Sequence, residues 1–356
     1  MNRRASKKLP SFRKSARGDL RIGISGWTYP PWRGGNFYPE KWPQKRELEY
    51  ASRHVNSIEI NGSFYSLQRP ESYAAWHAAT PPGFLFSVKG GRFITHLKRL
   101  KDVEVPLANF LASGVLRLRE KLGPILWQLP PQFSFDPTRL EAFFRLLPRT
   151  TSAAAALARE HDERLAGRAW TRIDRDRPLR HALEVRHPSF VTPEFIVLLR
   201  AHDIALVVAD TAGKWPFMED VTSDFLYLRL HGAEELYVSG YTTEALAGWE
   251  KKIRAWSRGE TPADARLIGP RPKRRSGPRD VFVYFDNDVK VRAPFDAMTL
   301  AHNLDLGPAP GPAPDLEAIS IARSQATPIS ADPRWNFARK PLRPSRRRSS
   351  VGGSKK

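Results

Sequence analysis

Charged and polar residues recur late in several short apolar runs of this chain, spaced two apart: Glu59 and Asn61, Glu184 and Arg186, Arg229 and His231, Tyr284 and Asp286. Lys89, Gln128 and Asp210 close three further runs, and Trp27 follows Ser25 in the first. Successive side chains on a strand point to opposite faces, so each such pair shares one face. Lys89, Arg186 and Arg229 would hold a phosphate or carboxylate through charge-assisted bonds. Glu59 and Glu184 then read as an acid–base pair, because two carboxylates in different surroundings can be tuned apart in pKa. With Asp210 and His231 as further catalytic candidates, this equipment suits hydrolysis of a glycosidic or phosphoester bond in a small polar anionic substrate. Trp27, Asn61, Lys89, Gln128, Arg186, Arg229, Tyr284 and Asp286 are the substrate-binding candidates.

A second reading makes Glu59, Glu184, Asp210, His231 and Asp286 ligands for Mg²⁺, Mn²⁺ or Zn²⁺, as in sugar isomerases and nucleases built on barrels. The lack of H-x-H or H-E-x-x-H spacing and the three neighbouring cations weigh against it, so no metal and no organic cofactor is assigned. Pairs such as Glu184 with Arg186 or Asp286 with Arg229 also suit a buried network that closes one end of the fold. Lys89, followed by Gly90 and Gly91, is accessible enough for a Schiff base, though nothing in the sequence lowers its pKa.

The elements that must carry these residues are legible as eight apolar or β-branched runs: 21–27, 56–61, 84–89, 124–129, 181–186, 204–210, 225–232 and 280–286. Each reads as a strand. Helical patterns fall between most of them, at 43–54, 70–80, 106–123, 137–149, 192–203, 243–259 and 294–304. Proline at or near the first turn of several fits a position whose N–H is not needed. Alternation through eight strands predicts a TIM-like (β/α)₈ barrel in one α/β domain, whose chemistry sits at the C-terminal strand ends. A doubly wound open sheet is the competitor, disfavoured because no glycine-rich phosphate loop follows the first strand. Between strands six and seven, 211–223 shows no helical pattern and reads as a long mobile loop. Trp27, Tyr29, Trp32, Phe37 and Tyr38 crowd the first strand–helix loop, suited either to stacking a sugar or base or to a satellite core. His54, His77 and His202 fall on helical patterns and read as structural.

The absence of cysteine excludes disulfides, thiolate nucleophiles and iron–sulfur clusters. The net charge of +21 suggests a nucleic-acid partner until it is divided: residues 1–19, 271–279 and 334–356 carry +6, +5 and +9. The body is nearly neutral. A basic extension over 1–19, a basic insertion over 260–279 and a Pro/Arg-rich tail over 305–356 read as disordered or loosely attached to a barrel over 20–304. A non-enzymatic protein that binds nucleic acid or another polyanion through these tails is the reading from another class. No secretory signal or membrane-spanning run is visible, so a cytoplasmic location without membrane partners is expected; the Arg- and Ser-rich start also resembles a transit peptide.

Seven segments together carry a resemblance: ISGWTYPPWRGGNFYP, IEINGSFYSLQRPESYAAW, FSVKGGRFITH, KLGPILWQLPPQF, ALEVRHPSF, YLRLHG and VYFDND. In this order and spacing, over roughly 20–304, the chain resembles the YecE-like family, the domain of unknown function 72. That resemblance implies a barrel related to the TIM fold and supplies no reaction. The positions matching the family's motifs are Glu59, Asn61, Lys89, His96, Gln128, Glu184, Arg186, Asp210, Arg229, His231 and Tyr284.

Overall fold

A computed structural model of the chain describes residues 17–232, 239–271, 277–288, 290–311 and 313–314. The eight apolar runs become eight strands: β1 (Leu20–Ser25), β2 (Ser57–Ile60), β3 (Leu85–Lys89), β4 (Leu122–Gln128), β5 (His181–Glu184), β6 (Ala205–Asp210), β7 (Phe225–Leu230) and β8 (Asp280–Phe285). All pair in parallel and in sequence order, and β8 closes on β1 through the register Gly23↔Tyr284. This is the expected TIM-like barrel.

Helices surround it: α1 (Glu47–Ala51), α2 (Gly62–Tyr65), α3 (Pro70–Ala79), α4 (Glu104–Ala112), α5 (Pro137–Leu146), α6 (Thr151–Ala158), α7 (Pro193–Ala201), α8 (Thr243–Ser257) and α9 (Arg292–Asn303). Proline opens α3, α5 and α7, while the side chains of Asp136, Thr150 and Thr242 cap α5, α6 and α8 by accepting the amide three residues on. The pattern over 106–123 does not form one helix. Gly114 takes φ +115, and a Cβ there would lie 2.5 Å from Pro70 Cα, so α4 ends and a 3₁₀ segment follows.

Strand alternation produces two cores. Outward residues such as Ile24, Phe86, Trp127, Val208 and Leu228 pack against the helices. Inward residues, among them Leu126, Val207, Phe225, Tyr227, Phe282 and Tyr284, fill the barrel in layers. Its middle layer carries hydroxyls: Tyr227 meets Ser87 at 2.6 Å, Tyr284 meets Ser57 at 2.8 Å, and the two serines reach the carbonyls of Pro124 and Leu85, each at 2.9 Å. Tyr284 therefore lies beneath the mouth rather than in it.

The segment 211–223 has no helix, as read, but it is anchored rather than mobile. Met218, Glu219, Asp220, Val221 and Thr222 are buried. Glu219 binds Lys252 Nζ at 2.6 Å and accepts the Arg266 amide at 2.8 Å; Asp220 accepts the amides of Ile268 and Gly269 at 2.8 and 3.0 Å. The same bonds fix 260–271, which corrects the reading of that stretch as loose. The segment 305–311, read as the start of a loose tail, is tied back by Arg254 through the carbonyl of Asn303 and the carboxylate of Asp305. Residues 1–16, 272–276 and 315–356, where most of the tail and insertion readings fall, lie outside the described residues. We expect Asp220→Ala to cost about 2–4 kcal/mol, since two buried amides lose a charged acceptor. Hydrogen exchange should show protection lost at Ile268 and Gly269; unchanged protection there would refute the anchor.

Candidate functional site

The upper layer of the barrel is built around one guanidinium. Arg229, at the end of β7, is fully buried. Its Nε and Nη2 donate to Glu59 at 3.1 and 2.9 Å, its Nη1 to Glu184 at 2.8 Å, and Nη2 also to Asp286 at 2.7 Å. Parity explains the meeting: Glu59, Glu184, Arg229 and Asp286 all occupy inward positions at the C-terminal ends of their strands. Burial opposes the charge on Arg229, yet Glu59, Asp286 and Glu184 outweigh it and hold the guanidinium well above its ordinary pKa.

The two glutamates have further partners. Glu59 also accepts from Ser25 at 3.1 Å and from Tyr227 at 2.6 Å. Glu184 also accepts from Gln128 and Arg186, both at 2.9 Å. Burial would raise Glu184, but Arg186, Arg229, His231 and Lys89 overcome it and keep the carboxyl well below the usual range. Asp286, less enclosed, is likewise lowered to about 2, burial being outweighed by Arg229 and His231. His231 is buried, with Nε2 3.3 Å from Arg229 Nη1 and Nδ1 3.1 Å from Asp286. An arginine only donates, so Nε2 is the acceptor where it faces the guanidinium.

Above this platform stand groups of a different kind. The Lys89 ammonium, 8% exposed, rides 4.5 Å over the Phe64 ring and has no hydrogen bond or ion pair among the described residues. Burial, then the Arg229 charge, pushes its pKa down to about 8 against the pull of Glu59, Glu184 and Asp286. Asn61 Oδ1 is buried without a hydrogen-bond partner among the described residues. Asp288 is pushed up to about 7 by burial and by neighbouring Asp286. His96, half-buried, is pushed down to about 4 by burial, Lys89 and Arg186. Arg186 stacks on Trp215, 3.8 Å from its ring.

The model of the family described as a protein of unknown function, DUF72, matches residues 21–317. The chain belongs to the DUF72 family. It is 29% identical over 126 residues to the UPF0759 protein YecE of Escherichia coli K12, covering 35% of this chain and 42% of that protein. With YunF of Bacillus subtilis 168 the identity is 28% over 123 residues, 32% and 40% of the two chains. The chain thus aligns with about two fifths of the length of these curated relatives. Among solved structures, a DUF72 protein from Thermotoga maritima superposes with TM-score 0.60 at 23% identity, covering 81% of this chain and 99% of that one. Another from Enterococcus faecalis V583 gives 0.58 at 18% identity, covering 81% and 96%. Both establish the barrel fold.

The DUF72 barrel rearranges the residues read from sequence. Trp27 leaves the mouth because Gly26, at φ +88, breaks the strand alternation; its ring packs edge-on against Trp76 of α3 at 5.4 Å. Tyr29 takes its place, its hydroxyl bonded to the Ser25 carbonyl, its pKa raised by burial and then by Asp288, Asp286 and Glu59. Trp32, Phe37 and Tyr38 are buried and join the core between barrel and helices, not a separate satellite. Asp210 is on the outward parity of β6 and accepts from Tyr241 at 3.0 Å, away from Arg229. The divalent-ion ligand set is therefore not assembled: Asp210 faces elsewhere, and a guanidinium holds the centre that a cation would need. Among the described residues no group of three His, Asp or Glu has metal-site geometry. Glu59 and Glu184 are fully buried and both bonded to Arg229, so they form the platform beneath the mouth.

Sequence reasoning missed Trp215, on a segment that reads only as loop, and Phe64, on the short helix α2. It gave no role to Asp288, although the same parity that selects Asp286 selects it too. A cavity of about 930 Å³, lined by Asn36, Tyr50, His54, Pro82, Met298 and Pro310 among others, adjoins the segments entering β2 and β3, at the end of the barrel opposite the ring. No helix among the described residues is long and apolar enough to cross a membrane.

Proposed function

We propose that the mouth binds a small anionic ligand, a phosphate or carboxylate, on Lys89 with Arg186 beside it. The observation that carries this reading is the Lys89 ammonium, buried at a strand end and without a counter-ion among the described residues, above carboxylates that are bonded to Arg229. A buried charge is costly unless paired, and an anion entering the mouth supplies the missing pair. Asn61 Oδ1 would accept from a protonated phosphate oxygen or a sugar hydroxyl. Hydrolysis of a phosphoester held there would draw its proton from Asp288, which keeps one near neutral pH, rather than from Glu59 or Glu184.

Titration calorimetry with inorganic phosphate tests the reading. Lys89→Met is expected to weaken binding about 10- to 100-fold, the worth of a charge-assisted bond. Wild-type affinity should fall as pH rises through about 8, where the folded Lys89 ammonium loses its proton. Equal affinity in the variant, or affinity flat between pH 7 and 9.5, would exclude Lys89 as the anchor.

A further inference from the structure

Resting on the anion reading, we infer that the ligand is amphipathic: its anionic head lies on Lys89 and its apolar part runs outward along Phe64 onto Tyr65, Phe93 and Leu97. Six large apolar side chains among the described residues are prominently exposed, and three of them stand on the two loops flanking Lys89: Tyr65 at 56%, Phe93 at 40% and Leu97 at 65%. Exposed apolar surface concentrated at the lip of a polar site marks a place where a ligand lies.

Phe64 links Lys89 to both segments. Phe64 covers the Lys89 ammonium at 4.5 Å, and the same ring meets Tyr65 edge-on at 5.1 Å and His96 edge-on at 5.0 Å. His96 belongs to the π-helical turn Phe93–Leu97, closed by the Lys98 amide on the Phe93 carbonyl at 2.9 Å. Ile94 and Thr95 are buried and fix that turn, so Phe93 and Leu97 are presented on a rigid support. The charges around them are complementary to an anion: Arg92, Lys98, Arg99 and Lys101 flank the turn with no acid between them, and the Arg164 guanidinium lies 5.9 Å from the Phe93 ring. An inorganic anion would leave this rim unused, whereas an alkyl or aryl phosphate or carboxylate would cover it.

Calorimetric titration of the full chain with methyl, butyl and octyl phosphate decides the matter. Affinity is expected to rise about two- to fourfold with each added methylene, as for partial to full burial of hydrocarbon. In the double variant Phe93→Ser, Leu97→Ser the gradient should flatten while methyl phosphate binds as before; both positions are exposed, so the fold is kept. Methyl phosphate binding with no gain for octyl phosphate would overturn the amphipathic ligand and leave the anion reading standing. A gradient unchanged in the double variant would overturn the assignment of the rim. Binding to phosphatidylglycerol vesicles without a gradient among soluble phosphates would overturn it in favour of a membrane surface. Failure of every phosphate to bind would remove the anion reading and this inference with it.

Discussion

Arg229→Leu is expected to lose at least about 4 kcal/mol of stability in urea unfolding. Removing one partner of a buried ion pair typically costs about 3–5 kcal/mol because the other charge stays behind. Here the guanidinium serves Glu59, Glu184 and Asp286 together. Arg229→Lys should recover only part of the loss, since a single ammonium cannot span three strand ends as the planar fork does. To separate this from simple misfolding, Glu59→Gln and Glu184→Gln introduced into Arg229→Leu should restore stability by removing the stranded charges. An Arg229→Leu midpoint near wild type, or no rescue by the glutamines, would show that the ring carboxylates do not need the guanidinium.

Lys89→Met is expected to act in the opposite direction, stabilising the free protein at pH 7 while weakening its hold on anions. A fall in pKa from 10.5 to about 8 corresponds to a penalty on the order of 3 kcal/mol for keeping the ammonium charged in the folded state. Because the folded value is the lower one, that penalty is fully present below about pH 8 and fades as pH climbs toward 10.5. Thermal unfolding at pH 7 should therefore show a raised Tm in the variant, with the gap narrowing above pH 8. Lower stability of Lys89→Met at pH 7 would mean that the ammonium binds the ring together rather than straining it. Stability surrendered at one residue and recovered on binding is a common mark of a functional position.

The fold was legible because its signals are local. Each strand is an apolar run, and parity alone placed Glu59, Glu184, Arg229 and Asp286 on one face. What parity could not supply was their mutual neutralisation, which depends on how far Arg229 reaches across the barrel. The sequence reading therefore gave Glu59 and Glu184 to catalysis when both are consumed by hydrogen bonds. Trp27 went astray because one glycine at positive φ ends the alternation a residue too early, and Asp210 because a strand-end position was accepted on the wrong parity. Helix α6 escaped notice although Thr150 caps it and an alanine run follows. Trp215 and the anchoring of 260–271 depend on contacts between distant segments, which no local pattern encodes.

The hydroxyl layer under the ring has a kinetic meaning. Its donors terminate on the backbone carbonyls of Pro124 and Leu85, and Phe225 and Phe282 fill the barrel with the tyrosines. A chain of hydroxyls that ends on carbonyls is a blind alley for protons, since a carbonyl oxygen accepts a hydrogen bond and passes nothing on. A proton taken up or released by Lys89 or Asp288 therefore does not pass down through this layer.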